Sequence, residues 1–385
     1  MSSLRVRRPR WRMVLVGAVT LAVTAAVAPA AAARPAGGEP TAQGDLPDDC
    51  QDGWCAETLP PRTVGVRGMT VVRGGEVWAV GADRGPGALA LRWDGQAWQK
   101  VATPPLVNSY LSEVSGWTKN DVWAVGTQNA GEHTLTQHWD GREWTVVPSP
   151  DLGSSNDLLG VAAAGPHDVW AVGDAEVEQV GTRPLLMRWD GQSWSLVPTP
   201  LSDSPATFRA VVARSPHDVW IAAVVGSERR TAVTLHWDGR EWRRIDVPDP
   251  GDVANVAMGA ELHGQPLLTV VARDDPALPN RSHLWSWNGT AWTRVPVPVI
   301  DDQRLALGSM ASDNRGRVWL LGGVGRGDGA VVEWDGSQWT RTTLTHSGGH
   351  LLLNDVVVSQ NGQEVWLGGE QGVGRHHHAV MYVRR

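Results

Sequence analysis

Charged side chains between residues 229 and 304 are the candidates for chemistry in this sequence, because arginine and aspartate concentrate there. Polar loops carried by a rigid scaffold are common binding surfaces, so we expect this group to contact a ligand. The simpler alternative for any single member is an ordinary solvated loop charge. The predicted binding residues are Arg229, Arg230, Arg273, Asp274, Asp275, Arg281, Asp301 and Arg304.

Three consecutive histidines, His376 to His378, are a second group with chemical capacity. Alternate side chains of a strand point to opposite faces, so at most the first and the third would converge on one ion. No third ligand can be identified, and we predict a solvated loop end with no metal and no cofactor. Asp121, Asp168 and Asp218 each precede an apolar run, and we interpret them as hydrogen-bonding residues of a repeated turn. No catalytic residue is predicted.

A repeated pair of segments must position these residues. An apolar run that contains tryptophan and ends in glycine, such as Asp121–Gly126, is followed by a WDGxxW segment such as Trp139–Trp144. Successive copies are 45 to 50 residues apart, except for one step of two periods, in which Leu267–Val271 is the degenerate copy. The sequence therefore contains seven units, with a period typical of repeat architectures.

Each unit is predicted to form four antiparallel strands. The apolar runs are too short for helices and indicate strands that are buried on both faces. The Trp-Asp-Gly segments favour hairpin turns, because aspartate accepts backbone hydrogen bonds and glycine tolerates a positive φ. Seven such sheets bury their faces by stacking in a ring, so we predict an all-β, seven-bladed propeller. A solenoid is the alternative, but it would require capping repeats.

The two ends of the chain indicate how the ring closes. The seventh unit stops at Arg385 after three strands, whereas residues 50–61 reproduce the spacing of a fourth strand. We therefore predict that this N-terminal strand completes the last blade. Cys50 and Cys55 are the two cysteines and are expected to form a small disulfide. The predicted blades are residues 64–105, 110–150, 157–200, 207–250, 253–299, 304–345 and 351–385 with 50–61.

The N-terminal segment indicates export. Five arginines precede the apolar stretch Met13–Val27, and Ala31-Ala32-Ala33 fits a cleavage site, so residues 1–33 are predicted to be a signal peptide cleaved after about Ala33. An uncleaved membrane anchor is the alternative. Residues 34–49 are predicted to be a flexible lead. The protein is thus expected to be secreted and to meet a membrane only during export. Two lysines among 34 basic residues favour a bacterial source.

The net charge of −7 and the lack of a basic stripe argue against nucleic acid as a partner. The apolar runs Val318–Gly323 and Val365–Gly369, each followed by an aromatic residue at a turn, resemble the Kelch motif over residues 50–385. The WDGxxW hairpins also resemble Asp-box and tectonin repeats. These resemblances imply the architecture of the central domain of galactose oxidase.

The chemistry of such families is not implied by this sequence. The oxidase requires a tyrosine crosslinked to a cysteine, but the two tyrosines are Tyr110 and Tyr382 and both cysteines lie in the closing strand. A sialidase requires three converging arginines with a tyrosine–glutamate pair. Tyr382 occupies a repeat position and is expected to be structural, so Tyr110 is the one tyrosine left for that role. We therefore predict a secreted, monomeric, non-enzymatic binding or scaffold protein that engages a glycan, a cell-wall component or a protein through its loop face. A secreted carbohydrate-active hydrolase or lyase with a site at the channel mouth is the alternative.

Overall fold

The apolar runs that end in glycine form the second strand of each blade in a computed structural model of the chain. This structure describes residues 50–84, 87–248, 251–273, 281–301, 305–324, 327–345, 349–373 and 376–385. These residues form seven antiparallel sheets of four strands each. The predicted all-β, seven-bladed propeller is confirmed. The signal segment and the flexible lead lie outside the described residues, so cleavage after about Ala33 stays a prediction.

The strands succeed one another as a meander within each blade, from the inner strand beside the channel to the outer strand. The last blade combines the first strand of the chain with its last three. The bounds are β1 Cys55–Ala56; β2 Thr63–Val71, β3 Val77–Asp83, β4 Leu89–Trp93 and β5 Trp98–Lys100; β6 Tyr110–Thr118, β7 Asp121–Gln128, β8 His133–Trp139 and β9 Trp144–Val146; β10 Ser155–Gly165, β11 Asp168–Val177, β12 Gly181–Trp189 and β13 Trp194–Leu196; β14 Ala206–Ser215, β15 Asp218–Val225, β16 Thr231–Trp237 and β17 Trp242–Asp246; β18 Asp252–Leu262, β19 Gln265–Arg273, β20 Arg281–Trp287 and β21 Trp292–Val295; β22 Leu305–Ser312, β23 Val318–Val324, β24 Asp328–Trp334 and β25 Trp339–Leu344; β26 His350–Val358, β27 Val365–Val373 and β28 His376–Arg384. A 3₁₀ turn covers Asn129–Gly131, and a short helix, α1, covers Pro298–Asp301.

The ring closes at the N-terminal strand, as the sequence predicts. β1 pairs with β28, with Cys55 opposite Val383 and Ala56 opposite Tyr382. Trp54 is fully buried in the core between the sixth and seventh blades. Cys50 and Cys55 form a disulfide at the start of this strand. The closing strand therefore supplies the outer strand and the outer-strand tryptophan of the last blade.

Tryptophans hold adjacent blades together. The second-strand tryptophan of one blade packs between the third- and fourth-strand tryptophans of the next, as Trp78 does with Trp139 and Trp144 at ring distances of 5.1 and 5.4 Å. The same arrangement recurs around Trp123, Trp170, Trp220 and Trp366. Each indole removes about 150–250 Å² from water. The repeated tryptophans are thus the main contacts between blades.

The fifth blade departs from this rule. Leu267 pairs with Ser286, the place that Trp220 holds opposite His236 in the fourth blade. Leu267 packs toward the sixth blade, in the cluster that also contains Trp334 and Trp339, and both of these tryptophans remain partly exposed. The degenerate copy therefore keeps the strand and loses the aromatic contact.

The Trp-Asp-Gly segments form tight turns. In the third blade, Asp190 Oδ1 accepts hydrogen bonds from the backbone N–H groups of Gln192 and Ser193 at 2.8 and 2.9 Å, and Gly191 has a φ of +98°. These backbone donors lower the pKa of Asp190. The turns are therefore fixed by local hydrogen bonds, as the sequence predicts.

Candidate functional site

Four of the predicted binding residues lie in or directly beside the loops between the second and third strands of the fourth and fifth blades. Arg229 and Arg230 are in the turn between β15 and β16, and Arg273 and Arg281 flank the loop between β19 and β20. None of these four lines the cavity in the channel. The backbone N–H of Arg230 donates to Asp252 Oδ1 at 2.9 Å, which ties this loop to the next inner strand.

The remaining members of the predicted set are placed only in part. Asp301 ends the short helix α1, whereas Asp274, Asp275 and Arg304 lie outside the described residues. Half of the set is therefore described only in part or not at all, and its role in binding stays a prediction.

A bulge recurs in all seven inner strands. In each strand one residue is inserted between two paired positions, as Leu159 is between Leu158 and Gly160. A bulge of this kind re-aims the side chain of the inserted residue. The inserted residues are Arg67, Ser112, Leu159, Arg209, Ala254, Gly308 and Asn354.

The glycine that ends the apolar run accommodates this bulge. Gly173 lies opposite Leu158, and a Cβ atom there would be 1.9 Å from the carbonyl oxygen of Asp157. Gly126 and Gly369 stand in the same relation to the second and seventh inner strands. The repeated glycine is therefore required by close approach of the bulged backbone.

The inner strands enclose a cavity of about 580 Å³ in the channel, which all seven blades line. Its volume falls in the range of small-ligand sites. Among its described lining residues the charged ones are Arg67, Arg209, Glu113 and Asp355. The two arginines occupy the bulge position, and the two acids follow it by one residue in their own strands.

Asp157 of the third blade lies beside Tyr110, over whose ring Arg67 is held. Asp157 Oδ2 accepts a hydrogen bond from the hydroxyl of Tyr110 at 3.1 Å, and the guanidinium of Arg67 lies 4.7 Å from the centre of the Tyr110 ring. Burial raises the pKa of Asp157, while the Tyr110 hydrogen bond and the charges of Arg67 and Arg209 oppose that rise. Burial and the charge of Asp157 raise the pKa of Tyr110 to about 12, so its hydroxyl remains a donor at neutral pH.

Two buried polar atoms of this group lack a partner. Arg209 Nε and Asp157 Oδ1 are shielded from solvent, and neither has a hydrogen-bond partner in the part of the chain that the structure describes. Nearby, Asp174 Oδ2 accepts a hydrogen bond from Thr207 Oγ1 at 2.7 Å. We call this group the channel-mouth cluster: Arg67, Tyr110, Asp157, Asp174, Thr207 and Arg209. A buried donor or acceptor without a partner is costly, and each such atom calls for an explanation.

A pair of acids lines the channel beyond this cluster. Asp355 accepts hydrogen bonds from the backbone N–H groups of Met69 and Val356 and from Ser309 Oγ, at 2.6 to 2.9 Å. Burial raises the pKa of Asp355 to about 6. Burial and the charge of Asp355 together raise the pKa of Glu113 well above its usual range. Both carboxyl groups therefore hold their protons to a higher pH than ordinary carboxylates do.

The histidines near the C-terminus are not at a loop end, so that prediction is wrong. His377 and His378 belong to β28, and the ring of His378 contacts the side chain of Gln371. Within the described ranges, no group of three or more histidine, cysteine, aspartate or glutamate side chains could hold a metal ion. No helix in those ranges is long and apolar enough to cross a membrane.

The channel-mouth cluster lies on the face predicted from the sequence, where the loops between second and third strands gather, but on other blades. It uses the first four blades and their inner strands, whereas the prediction favoured loops of the fourth to sixth. Tyr110 was among the few aromatic residues available at that face, but Arg67, Asp157 and Arg209 were missed. For Arg67 and Arg209, the signal that could have found them is a charged residue directly before a small one, Gly68 or Ala210, in the inner apolar run.

Comparison with solved structures supports the fold. The chain superposes on YCF48 bound to D1 peptide with a TM-score of 0.57 at 18% identity, covering 86% of this chain and 96% of that one. It is also similar to the WD40 repeats of RRP9, with a TM-score of 0.56 at 12% identity, covering 87% and 98%. A complex of the Aleuria aurantia lectin with Fucα1-6GlcNAc gives a TM-score of 0.50 at 12% identity, covering 74% and 98%.

At these identities the likeness shows the propeller fold alone. No protein-family model matches the chain, and no curated protein matches it. The propellers that it resembles thus range from WD40 repeats to a lectin.

Proposed function

We propose that this chain is a secreted bacterial binding propeller, related to Kelch-like repeats, that engages a glycan, a cell-wall component or a protein at the channel-mouth cluster. The observation that carries the proposal is that Arg67 and Arg209 occupy the bulge position of their inner strands and both line a cavity of about 580 Å³. Guanidinium groups that line a cavity can donate hydrogen bonds to a ligand held there.

The location of these residues supports a binding role. Blades contribute equally to the ring, yet arginine occupies the bulge position in the first and fourth blades, where other blades have serine, leucine, alanine, glycine or asparagine. These arginines form no ion pair with a described residue that would give them a structural role. Export, cleavage after about Ala33 and a monomeric state belong to the same proposal.

A binding screen tests the proposal. The mature chain, residues 34–385, is probed with glycans, cell-wall fragments and peptides beside the variant Arg209→Met and the control Arg142→Met. Arg142 is an exposed residue of a Trp-Asp-Gly turn, and only its backbone N–H has a described bond. We expect a ligand that the control retains and that Arg209→Met loses.

Two results would contradict this proposal. Binding that is unchanged in Arg209→Met but lost in Arg281→Ala/Arg304→Ala would place the binding site in the fourth to sixth blades, as the sequence analysis predicts. Turnover of a screened sugar or peptide would favour the alternative, a carbohydrate-active hydrolase or lyase.

A further inference from the structure

We propose that a groove on the face opposite the channel-mouth cluster binds an acidic peptide segment of a partner protein. The groove has a volume of about 760 Å³, and four arginines and one glutamate are its charged lining residues: Arg315, Arg317, Arg384, Arg385 and Glu364. None of them belongs to the channel-mouth cluster, so the inference does not depend on the proposed function.

The strand order places the groove beside the ring closure. Arg315 and Arg317 lie in the turn between β22 and β23, residues 361–364 lie in the turn between β26 and β27, and Arg384 ends β28. These turns join first to second strands, so in an antiparallel blade they lie at the end away from the loops between second and third strands. The groove therefore lies between the sixth and seventh blades, on the opposite face from the channel mouth.

Carboxylates hold two of the arginines from behind. Arg317 Nε donates to Asp313 Oδ2 at 2.8 Å, and Arg384 Nη2 donates to Glu333 Oε2 at 2.7 Å. The side chains of Asp313 and Glu333 are 2% and 18% exposed, and neither acid lines the groove, whereas both arginines do. The acids therefore fix the guanidinium groups, and a ligand in the groove would meet the arginines.

Tryptophan rings fix the same two guanidinium groups. Cζ of Arg317 lies 5.0 Å from the centre of the Trp319 ring, and Cζ of Arg384 lies 4.6 Å from that of Trp54. Nη1 of each arginine has no hydrogen-bond partner among the described residues. Donors that are already oriented lose less side-chain entropy when a ligand binds, which favours binding.

The other two arginines add donors that are more exposed. Arg385 donates to Glu57 and Glu364 at 2.8 and 3.2 Å, and its side chain is 51% exposed. Arg315 is exposed, and only its backbone N–H has a described bond, to Asp313 Oδ1 at 3.0 Å. The groove thus presents four guanidinium groups, one of which has no ion pair with a described residue.

The lining of the groove favours a peptide that carries several carboxylates. A guanidinium group matches the two oxygens of a carboxylate. Gln363 is exposed and its Nε2 has no described partner, so it can donate to a carbonyl oxygen of a peptide backbone. Glu364 also lines the groove and would repel a polymer that is charged at every unit. An acidic peptide is therefore favoured over a polyphosphate.

Fluorescence anisotropy with a labelled peptide of alternating glutamate and glycine tests this inference, beside a neutral peptide with glutamine in place of glutamate. We expect the acidic peptide to bind about tenfold or more tightly at low ionic strength, as charge-assisted hydrogen bonds allow. Arg315→Gln should weaken its binding about threefold or more, and Arg315→Gln/Arg385→Gln about tenfold or more. The control Arg142→Gln removes an exposed arginine from a Trp-Asp-Gly turn of the same face and should keep the affinity.

Melting temperatures show whether each variant is folded, and Arg315→Gln alone decides the test if the double variant is not. Equal affinity for the two peptides, or equal weakening in Arg142→Gln, would overturn the inference. Tripolyphosphate that binds through Arg315 while the acidic peptide does not bind would also overturn it. Peptide binding that is lost in Arg209→Met but kept in the groove variants would place the peptide at the channel mouth instead. Absence of binding by every probe would overturn the inference as well.

Discussion

The buried acids of the channel predict an unusual dependence of stability on pH. Glu113 and Asp355 flank the first blade from either side, and Gly68 of that blade places no side chain between them; its Cβ position would be 2.4 Å from Glu113 Oε1. Because both pKa values are raised in the folded protein, the folded state binds more protons than the unfolded state between pH 4 and 6. Their contribution to stability is therefore full below the unfolded pKa and is lost as pH rises through the folded pKa.

The magnitude follows from the shift. For Asp355 the pKa rises from 3.8 to about 6, and about 1.36 kcal/mol per unit gives an upper bound of roughly 3 kcal/mol lost at neutral pH. Replacing Glu113 by Gln removes one charge but keeps the acceptor for the Val114 N–H. We expect Glu113→Gln to raise the free energy of unfolding by about 1–2 kcal/mol at pH 7.5 and by little at pH 4.5.

Denaturant unfolding followed by tryptophan fluorescence at the two pH values measures this effect. Glu143→Gln is the control, because the Glu143 side chain is exposed in a Trp-Asp-Gly turn. Its stability should follow the parent chain at both values. If Glu113→Gln destabilises the protein equally at both pH values, the carboxylate is a structural hydrogen-bonding group and the argument from charge is wrong.

Two further predictions concern the ring. Deleting residues 50–61 exposes the edge of β28 and removes Trp54 from the core, so we expect loss of cooperative unfolding or aggregation; an unchanged melting curve would show that β1 does not close the ring. Trp170→Ala should cost about 3–5 kcal/mol, because Trp170 is 1% exposed between two tryptophans of the next blade. Trp189→Ala should cost less by the same unfolding assay, because its ring is partly exposed, and equal losses would contradict the burial argument.

The fold could be predicted from the sequence because every part of the repeat predicts the same ring of blades. The Trp-Asp-Gly turn, the apolar second strand and the missing fourth strand each have a local signature, and all three require the same ring. Even the degenerate fifth blade can be identified from the sequence, because Leu267–Val271 keeps the apolar strand pattern without its tryptophan.

The candidate site was predicted only as a face of the ring. A bulge adds one residue to an inner strand without changing the order of apolar and polar residues that identifies the strand. The sequence therefore does not show that Arg67 and Arg209 line one cavity, since they are far apart in the chain and belong to two blades. The arginines of the fourth and fifth blades were more visible, because long polar loops separate them from the apolar pattern.

The position of the cluster explains how a symmetric ring can acquire a single site. Each inner strand bulges at the same place, so the backbone offers seven equivalent positions that face the channel. A substitution there alters the channel lining without touching the tryptophans that join the blades. Arginine in two of the seven positions, with Asp157 between their blades, gives the mouth a polarity that the repeat itself lacks. Binding specificity can therefore change at the inner strands, while the tryptophan contacts of the other three strands continue to stabilise the ring.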